Sequence, residues 1–295
     1  MVKILITGGT GLIGQHLQNT LINNNIEVAV LTRTPKKSNE FRWNLNENFI
    51  DKNAFNNITH IIHLAGAGIA DKRWTLKRKK ELINSRVKST SLLLKKITDH
   101  KVPLQGFISA SGIGYYGAVT SDKIFTEEDT PKNDFISTIC VQWEKAAHQF
   151  KDIDVPLTIL RTGVVLTKKN GALSKMNTPL FLSALGTGKQ YVPWIHIDDL
   201  CNLYLEAILN DNFKGIYNAV APEHQTNESF TKILGDTIKK PVLPMNAPSF
   251  ILKTALGEMA YMLLNGSRVS AEKTMQFYNF VYPDLASALN NIYHE

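Results

Sequence analysis

Residues 2–14 read VKILITGGTGLIG, and this stretch decides the fold. Residues 2–7 are a short apolar and β-branched run, which predicts a strand. Three glycines with the spacing G-x-x-G-x-x-G follow it directly. Apolar residues then recur with the helical period up to position 22. A strand, a tight glycine turn and a helix in this order predict the first βα unit of a parallel sheet.

The glycine turn also predicts a ligand. A chain that turns tightly between a strand and a helix can approach a pyrophosphate closely only where side chains are absent, and the third glycine lets the helix pack on the strand. The N-terminus of the helix adds free N–H groups and a partial positive charge. We therefore predict a dinucleotide-binding turn made of Gly8, Thr10, Gly11, Leu12, Ile13 and Gly14.

The end of the second predicted strand indicates which dinucleotide binds. A cofactor with a free ribose 2′-hydroxyl is held by Asp or Glu at this position. Residues 31–37 read LTRTPKK and contain no carboxylate. Since Arg33 can pair with a 2′-phosphate, the sequence predicts NADP(H) in preference to NAD.

Strands and helices continue to alternate along the chain. The hydrophobic pattern predicts helices at 12–23, 74–99 and 135–150 and strands at 26–31, 60–64, 107–111 and 157–160. In the long helix, the predicted buried stripe is Leu76, Ile83, Val87, Leu94 and Ile97. This order predicts an α/β fold, a Rossmann-like doubly wound parallel sheet.

Regularity weakens after residue 163. We expect one more helix at 197–210 and a strand at 216–219, followed by a mostly helical tail broken by prolines. The domain prediction is a dinucleotide-binding Rossmann domain over residues 1–165, to which residues 194–220 return. Residues 166–193 and 221–295 are predicted to form a small, mostly helical C-terminal lobe on the substrate side.

Composition limits the other partners. The formal net charge is +7, but no aromatic residues interleave with the densest basic run, KRKK at 77–80, so we expect a solvated helix face and no nucleic-acid partner. No apolar run approaches the roughly 20 residues of a membrane span. Neither Cys140 nor Cys201 fits a metal or disulfide pattern, which predicts no metal site and a reducing, cytoplasmic setting. We expect a small-molecule substrate. The oligomeric state expected from the sequence is a monomer or a homodimer.

Several motifs together resemble the extended short-chain dehydrogenase/reductases. They are TGGTGLIG at 7–14, HLAG at 63–66, SAS at 109–111, YYG at 115–117, Arg161 in LRTGVVL, and WIHIDDL at 194–200. More narrowly, SASGIGYYG at 109–117, WEKAA at 143–147 and the tail 248–285 resemble the epimerase-like proteins of family 39U of these enzymes, over nearly the whole chain. The resemblance implies a Rossmann domain, a C-terminal lobe over a cleft, NADP(H) binding, and a cofactor-lining segment made of Leu64, Ala65 and Gly66. It implies no substrate.

The usual catalytic pair of the superfamily is absent. That pair is Tyr-x-x-x-Lys, in which the lysine lowers the pKa of the tyrosine so that the phenol acts as acid or base near neutral pH. A glutamate commonly lies four residues beyond the lysine, and Glu144 is its match here. Counting back places Cys140 at the lysine and Ile136 at the tyrosine.

The remaining catalytic candidates are Ser111, Tyr115 and Tyr116. The resemblance implies that Ser111 holds the reacting oxygen, and either tyrosine could replace the missing acid. A strand-end serine can instead satisfy the backbone, and the tyrosines can pack in the core or line the cofactor. The leading hypothesis is an NADP(H)-dependent oxidoreductase or epimerase acting on a carbonyl or sugar-like compound. The alternative is a non-catalytic NADPH-binding redox sensor or assembly partner.

Overall fold

The structure is a computed structural model that describes residues 2–168 and 170–294. In chain order, the strands are β1 (Lys3–Thr7), β2 (Glu27–Thr32), β3 (Glu40–Asn44), β4 (Phe49–Ile50), β5 (His60–His63), β6 (Gly106–Gly112), β7 (Ile124–Phe125), β8 (Leu157–Thr162), β9 (Val164–Leu166), β10 (Trp194–His196), β11 (Gly215–Ala219) and β12 (Arg268–Val269). The α-helices are α1 (Leu12–Asn23), α2 (Leu76–Asp99), α3 (Phe135–His148), α4 (Gly171–Met176), α5 (Ile197–Leu209), α6 (Asn227–Ile238), α7 (Ser249–Leu256), α8 (Ala260–Leu264), α9 (Glu272–Met275) and α10 (Leu285–His294).

The central sheet has eight strands in the order β11-β8-β6-β5-β1-β2-β3-β4. All neighbours are parallel except β3 and β4. The chain runs outward from β1 to β4, returns to place β5 on the other side of β1, and then runs outward again. This order confirms the predicted doubly wound, Rossmann-like sheet. The direction reverses between β1 and β5, and a crevice for ligands forms beyond the carboxyl ends of strands at such a point.

Helices cover both faces of the sheet because inner strands such as β1 and β2 bury apolar side chains on both sides. Helices α1 and α5 pack on one face through Leu17, Leu21, Leu200 and Leu203. Helix α2 packs on the other face through Leu92, Leu93 and Ile97, with α3 beside it. Burial of both faces explains why the strands read as continuous apolar runs rather than alternating patterns.

The second half of the chain adds smaller units. Strand β11 joins the central sheet beside β8, β10 pairs with β9, and β12 pairs with β7. A third apolar cluster contains Trp194, Phe230, Leu234, Leu285 and Leu289. Because Trp194 belongs to this cluster while its neighbour Ile195 packs in the core of the central sheet, the two parts are interwoven, and the division into two lobes stays a proposal. None of the helices in the described ranges has the length and apolar character needed to cross a bilayer.

Most predicted elements agree with the structure to within two residues, but the buried face of α2 was predicted wrongly. Leu76 is 81% exposed, and of the predicted stripe only Ile97 is buried. The helix instead buries a mixed face whose members are Arg78, Leu82, Arg86, Ser89, Thr90, Leu92, Leu93 and Ile97. The KRKK run is therefore not wholly solvated. Strand β3, with the sequence EFRWN, was not predicted, because its only buried side chain is Trp43.

Candidate active site

The turn after β1 has the geometry that its glycines permit. Gly8 adopts a φ of +72°, and a Cβ on it would lie 3.0 Å from the backbone of Leu64 and Ala65. A Cβ on Gly14 would lie 2.4 Å from the carbonyl oxygen of Gly8, well inside contact distance. Gly14 therefore lets α1 pack against the turn, and Gly8 lets the segment after β5 approach it.

The N-terminus of α1 presents free backbone donors. Gln15 N donates to Gly11 O at 2.9 Å, so the N–H groups of Leu12, Ile13 and Gly14 have no acceptor within the helix. Gly11 provides no side-chain cap, and the first turn contains no acidic residue. Thr10 and Gly11 are exposed. This end of α1 thus combines open donors with the positive end of the helix dipole, which suits a phosphate group.

The segment after β5 lies against the same turn. The backbone N–H groups of Leu64 and Ala65 both donate to Thr7, to its carbonyl oxygen and its Oγ1, each at 3.2 Å. These bonds fix Leu64, Ala65 and the exposed Gly66 beside Gly8. The structure thus brings the predicted cofactor-lining residues of the first and fifth strands together.

His63 has a structural position. It is fully buried, with Nδ1 2.7 Å from Thr7 Oγ1 and Nε2 3.1 Å from Ser89 Oγ. Burial lowers the pKa of His63 to about 3, so the ring is neutral at physiological pH. The ring links β5 to β1 and α2 by hydrogen bonds.

Arg33 directly follows β2, at the carboxyl edge of the sheet. Its side chain is exposed, and no hydrogen bond or ion pair holds it in the parts of the chain that the structure describes. Nearby, the carboxylate of Glu40 accepts a hydrogen bond from the backbone N–H of Lys36 at 2.6 Å. Arg33 is therefore a free cation at the edge where a 2′-phosphate was predicted.

Ser111 lies near the end of β6 and is bonded inward. Its hydroxyl donates to Oε1 of Glu144 at 2.7 Å. Glu144 in turn accepts two hydrogen bonds from Arg161, from Nε at 2.9 Å and from Nη2 at 2.8 Å. All three residues are buried. A bidentate pair of this kind is strong and directional, and it fixes α3 to β6 and β8.

The two tyrosines have different environments. Tyr116 is 2% exposed, its hydroxyl donates to Oδ1 of Asn218 at 2.7 Å, and it accepts from Nη1 of Arg161 at 3.0 Å. Burial raises the pKa of Tyr116 to about 12. Tyr115 is half-buried, and its ring lies over the guanidinium of Arg161, with 3.4 Å between Cζ and the ring centroid. Among the described residues, none forms a hydrogen bond with the Tyr115 hydroxyl, so this geometry favours Tyr115 over Tyr116 as a proton donor.

Helix α3 presents Ile136, Cys140 and Glu144 at successive turns toward the end of β6. A Cβ on Gly114 would lie 2.2 Å from Ile136 Cγ2 and 3.5 Å from Cys140 Sγ. All three side chains are buried. Burial, with a smaller contribution from Glu144, raises the pKa of the Cys140 thiol to about 12, so it is protonated. An apolar side chain and a neutral thiol thus occupy the two positions that the sequence register assigned to the tyrosine and the lysine.

Sequence reasoning did not identify the pairing of Glu144 with Arg161. One signal was present, since Arg161 interrupts the apolar strand LTILRT, and a charge in a buried strand needs a partner.

Within residues 2–168 and 170–294, no group of three or more His, Cys, Asp or Glu side chains is arranged to hold a metal ion.

Two family models and several curated relatives match this chain. The model of the NAD dependent epimerase/dehydratase family matches residues 4–219, and a domain of unknown function, DUF1731, matches residues 247–292. An epimerase family protein of Staphylococcus saprophyticus is 34% identical over 304 residues, covering 100% of both chains. A chloroplastic epimerase family protein of Arabidopsis thaliana is 33% identical over 314 residues, covering 99% of this chain and 86% of its own length.

Solved structures share the fold over the whole chain. The crystal structure of human epimerase family protein SDR39U1 (isoform 2) with NADPH has a TM-score of 0.89 and 30% identity, and covers 99% of each chain. The UDP-glucuronic acid 4-epimerase of Bacillus cereus, in complex with UDP-glucuronic acid and NAD, has a TM-score of 0.76 at 17% identity and covers 99% of this chain and 98% of its own. The second likeness is one of fold alone.

Proposed function

Because the chain belongs to the NAD dependent epimerase/dehydratase family, we propose that it binds NADP(H) and transfers a hydride to or from a carbonyl or alcohol carbon of a small, sugar-like substrate. The observation that carries the proposal is the glycine turn before α1. It offers free N–H groups at Leu12, Ile13 and Gly14 at the point where the strand order reverses. Pyrophosphates of dinucleotides bind at such a turn.

NADP(H) rather than NAD(H) is supported by two observations. Arg33 is a free cation at the end of β2, and β2 itself ends in Thr32 rather than in a carboxylate. The similar human protein has been crystallised with NADPH. In this account the turn holds the diphosphate, Arg33 pairs with the 2′-phosphate, and Leu64, Ala65 and Gly66 line the next part of the cleft.

The cofactor, when bound, supplies or accepts the hydride. The protein must hold the substrate oxygen and move a proton, and we assign these tasks to Ser111 and Tyr115. Ser111 donates its own proton to Glu144, so its oxygen can only accept a further hydrogen bond. A substrate hydroxyl can donate that bond. Tyr115 has a hydroxyl without a partner among the described residues and a cation against its ring, so it is the better placed acid. These groups serve simple reduction as well as epimerisation, in which oxidation is followed by re-reduction from the other face.

A non-catalytic role is the second candidate, and one observation favours it. The α3 positions that the superfamily uses for proton transfer hold Ile136 and Cys140, which are buried and cannot exchange protons near neutral pH. A protein with an intact cofactor turn and no proton donor would act as an NADPH-binding redox sensor or assembly partner. A reducing compartment such as the cytoplasm stays a prediction; both cysteines are free and buried, and the Arabidopsis relative is named chloroplastic.

One experiment separates the two candidates. NADPH oxidation is followed by the absorbance of the reduced nicotinamide in the presence of a panel of aldehydes, ketones and keto-sugars, with wild type and Tyr115→Phe. The proposal expects a carbonyl that stimulates oxidation in the wild type and a large loss of that stimulation in Tyr115→Phe. Tight NADPH binding with no stimulation by any member of the panel would favour the non-catalytic role.

A further inference from the structure

Among the residues that the structure describes, three arginines are buried, and one of them differs from the others. Arg161 is paired with Glu144. Arg78 is paired with Glu81 at 2.9 Å and lies 3.8 Å from a carboxylate oxygen of Asp71. Arg86 is 9% exposed, and no carboxylate of the described chain lies within 4.0 Å of its guanidinium.

The guanidinium of Arg86 is only partly satisfied. Its Nη1 donates to the carbonyl oxygens of Ala67 at 3.1 Å and Leu82 at 2.9 Å. Its Nε is buried without a partner, and Nη2 makes no hydrogen bond to any residue that the structure describes. The ring of Trp143 lies 4.9 Å from its Cζ, a contact that contributes less than a paired carboxylate. Burial lowers the pKa of Arg86, although a guanidinium stays charged in proteins.

The position of Arg86 relates it to the candidate active site. A Cβ on Gly66 would lie 3.0 Å from Cζ of Arg86, so the guanidinium touches the segment that follows β5. On α3, Trp143, whose ring contacts the guanidinium of Arg86, lies three residues beyond Cys140, the residue at the register position of the missing lysine. Cys140 in turn lies close to Gly112 and Gly114, directly after Ser111. Arg86 is thus a fixed cation beside the segment that follows β5, packed against Trp143 of α3.

A buried cation without an anionic partner is costly, and proteins keep such groups where a ligand supplies the missing charge. We propose that Arg86 binds a carboxylate of the substrate, and that the substrates of this protein are therefore carboxylate-bearing carbonyl or hydroxy compounds. The inference rests on the proposed function, because the site lies beside the predicted cofactor cleft. The phosphates of the cofactor already have partners in that account, at the N-terminus of α1 and at Arg33, so the charge opposite Arg86 is assigned to the substrate.

The test uses the full-length protein saturated with NADPH and two pairs of small probes. Oxamate and malonate carry the carboxylate, and oxamide and malonamide are their neutral counterparts. Affinities are measured by calorimetry for wild type, Arg86→Met, Arg86→Lys and Arg78→Met. The last variant is the matched control, since Arg78 is a buried arginine on the same helix face whose charge is already paired. Thermal melts without ligand establish that each variant is folded, and Arg86→Lys keeps the charge if Arg86→Met does not fold.

The proposal expects at least one carboxylate to bind the wild type at least tenfold more tightly than its amide. It also expects Arg86→Met to remove that preference, Arg86→Lys to retain part of it, and Arg78→Met to leave it unchanged. A wild type that does not distinguish carboxylates from amides would overturn the proposal. It would also be overturned if Arg86→Met weakened NADPH binding itself tenfold, because the charge would then belong to the cofactor. Failure of the wild type to bind NADPH in its own titration would instead overturn the proposed function.

Discussion

The hydroxyl of Ser111 donates a hydrogen bond of 2.7 Å to Oε1 of Glu144, so the serine of the candidate site is coupled to the buried pair between Glu144 and Arg161. Arg161 also donates to the hydroxyl of Tyr116 and lies under the ring of Tyr115. One carboxylate and one guanidinium therefore fix all three of the catalytic candidates. The rigidity of the site depends on this pair.

Glu144→Gln should be strongly destabilising. It leaves the charge of Arg161 buried without a counter-ion, and removal of one partner of a buried pair costs about 3–5 kcal/mol. Urea denaturation compares this variant with wild type and with Glu81→Gln. Glu81 also pairs with a buried arginine, but its own side chain is 55% exposed, so that control should change stability little. Equal losses of unfolding free energy in the two variants would show that the Glu144–Arg161 pair contributes no more to stability than the pair of Glu81 with Arg78.

Tyr115→Phe and Tyr116→Phe should affect different properties. The hydroxyl of Tyr116 satisfies Arg161 and Asn218 in the interior, so Tyr116→Phe should cost about 1–3 kcal/mol of folding free energy. Tyr115→Phe breaks no hydrogen bond and should leave stability nearly unchanged. If the enzyme hypothesis is right, it should instead slow carbonyl-dependent NADPH oxidation by about 100-fold or more. The reverse result, a stable but inactive Tyr116→Phe, would reassign the acid to Tyr116.

Arg33→Ala should weaken the binding of NADPH by about 10-fold or more, since a charge-assisted pair with the 2′-phosphate is lost. NADH affinity should not fall, because NADH lacks that phosphate. Lys95→Ala removes the same charge from an exposed site on α2 and is the control for general electrostatic attraction. Calorimetric titration of both nucleotides measures the effect. Unchanged NADPH affinity in Arg33→Ala would assign the 2′-phosphate to another group.

Two glycine substitutions should separate folding from ligand binding. A Cβ on Gly14 would lie 2.4 Å from Gly8 O, so Gly14→Ala should lower the melting temperature by several degrees, because backbone has to move. Gly11 is exposed, with a φ of −80°, and its Cβ would meet only Gly8 O, at 3.2 Å. Gly11→Ala should therefore melt close to wild type and still bind NADPH more weakly, because the methyl group occupies the approach to the pyrophosphate. Wild-type affinity in Gly11→Ala would place the diphosphate elsewhere.

Stability should fall as the pH is lowered from about 6.5. Burial lowers the pKa of His63 from its ordinary 6.5 to about 3, so below pH 6.5 the unfolded state binds a proton that the native state does not. Stability therefore decreases between about pH 6.5 and pH 3, and by pH 5 His63 alone should account for about 2 kcal/mol. His60, with a pKa lowered to about 4 chiefly by burial, acts in the same direction. Urea denaturation at pH 7 and pH 5 tests this, and equal stabilities would show that His63 titrates normally.

The fold could be predicted from the sequence because its main signals are local. The glycine turn, the alternation of strands and helices and the apolar strands β1, β5 and β6 all depend on neighbouring residues. Strand β3, which lies next to the edge strand β4, was missed, since only Trp43 within it is buried and the strand lacks a clear pattern.

The candidate site was less predictable because its contacts are long-range. Glu144 served in the sequence only to set the register of α3, and its partner Arg161 is 17 positions away along the chain. The buried face of α2 was predicted from apolar residues alone. In the structure, Ser89 turns inward to bond His63, and Arg86 turns inward to bond Ala67. Hydropathy cannot identify a polar residue that is buried for the hydrogen bonds it makes.

The most direct test of the account is a calorimetric titration of cofactor-free wild-type protein with NADPH and then with NADH. The account predicts that NADPH binds at least about tenfold more tightly than NADH, because Arg33 contributes only to the former. Equal affinities would contradict the assignment of Arg33. Binding of neither nucleotide would contradict the central claim that the turn from Gly8 to Gly14 is a dinucleotide site.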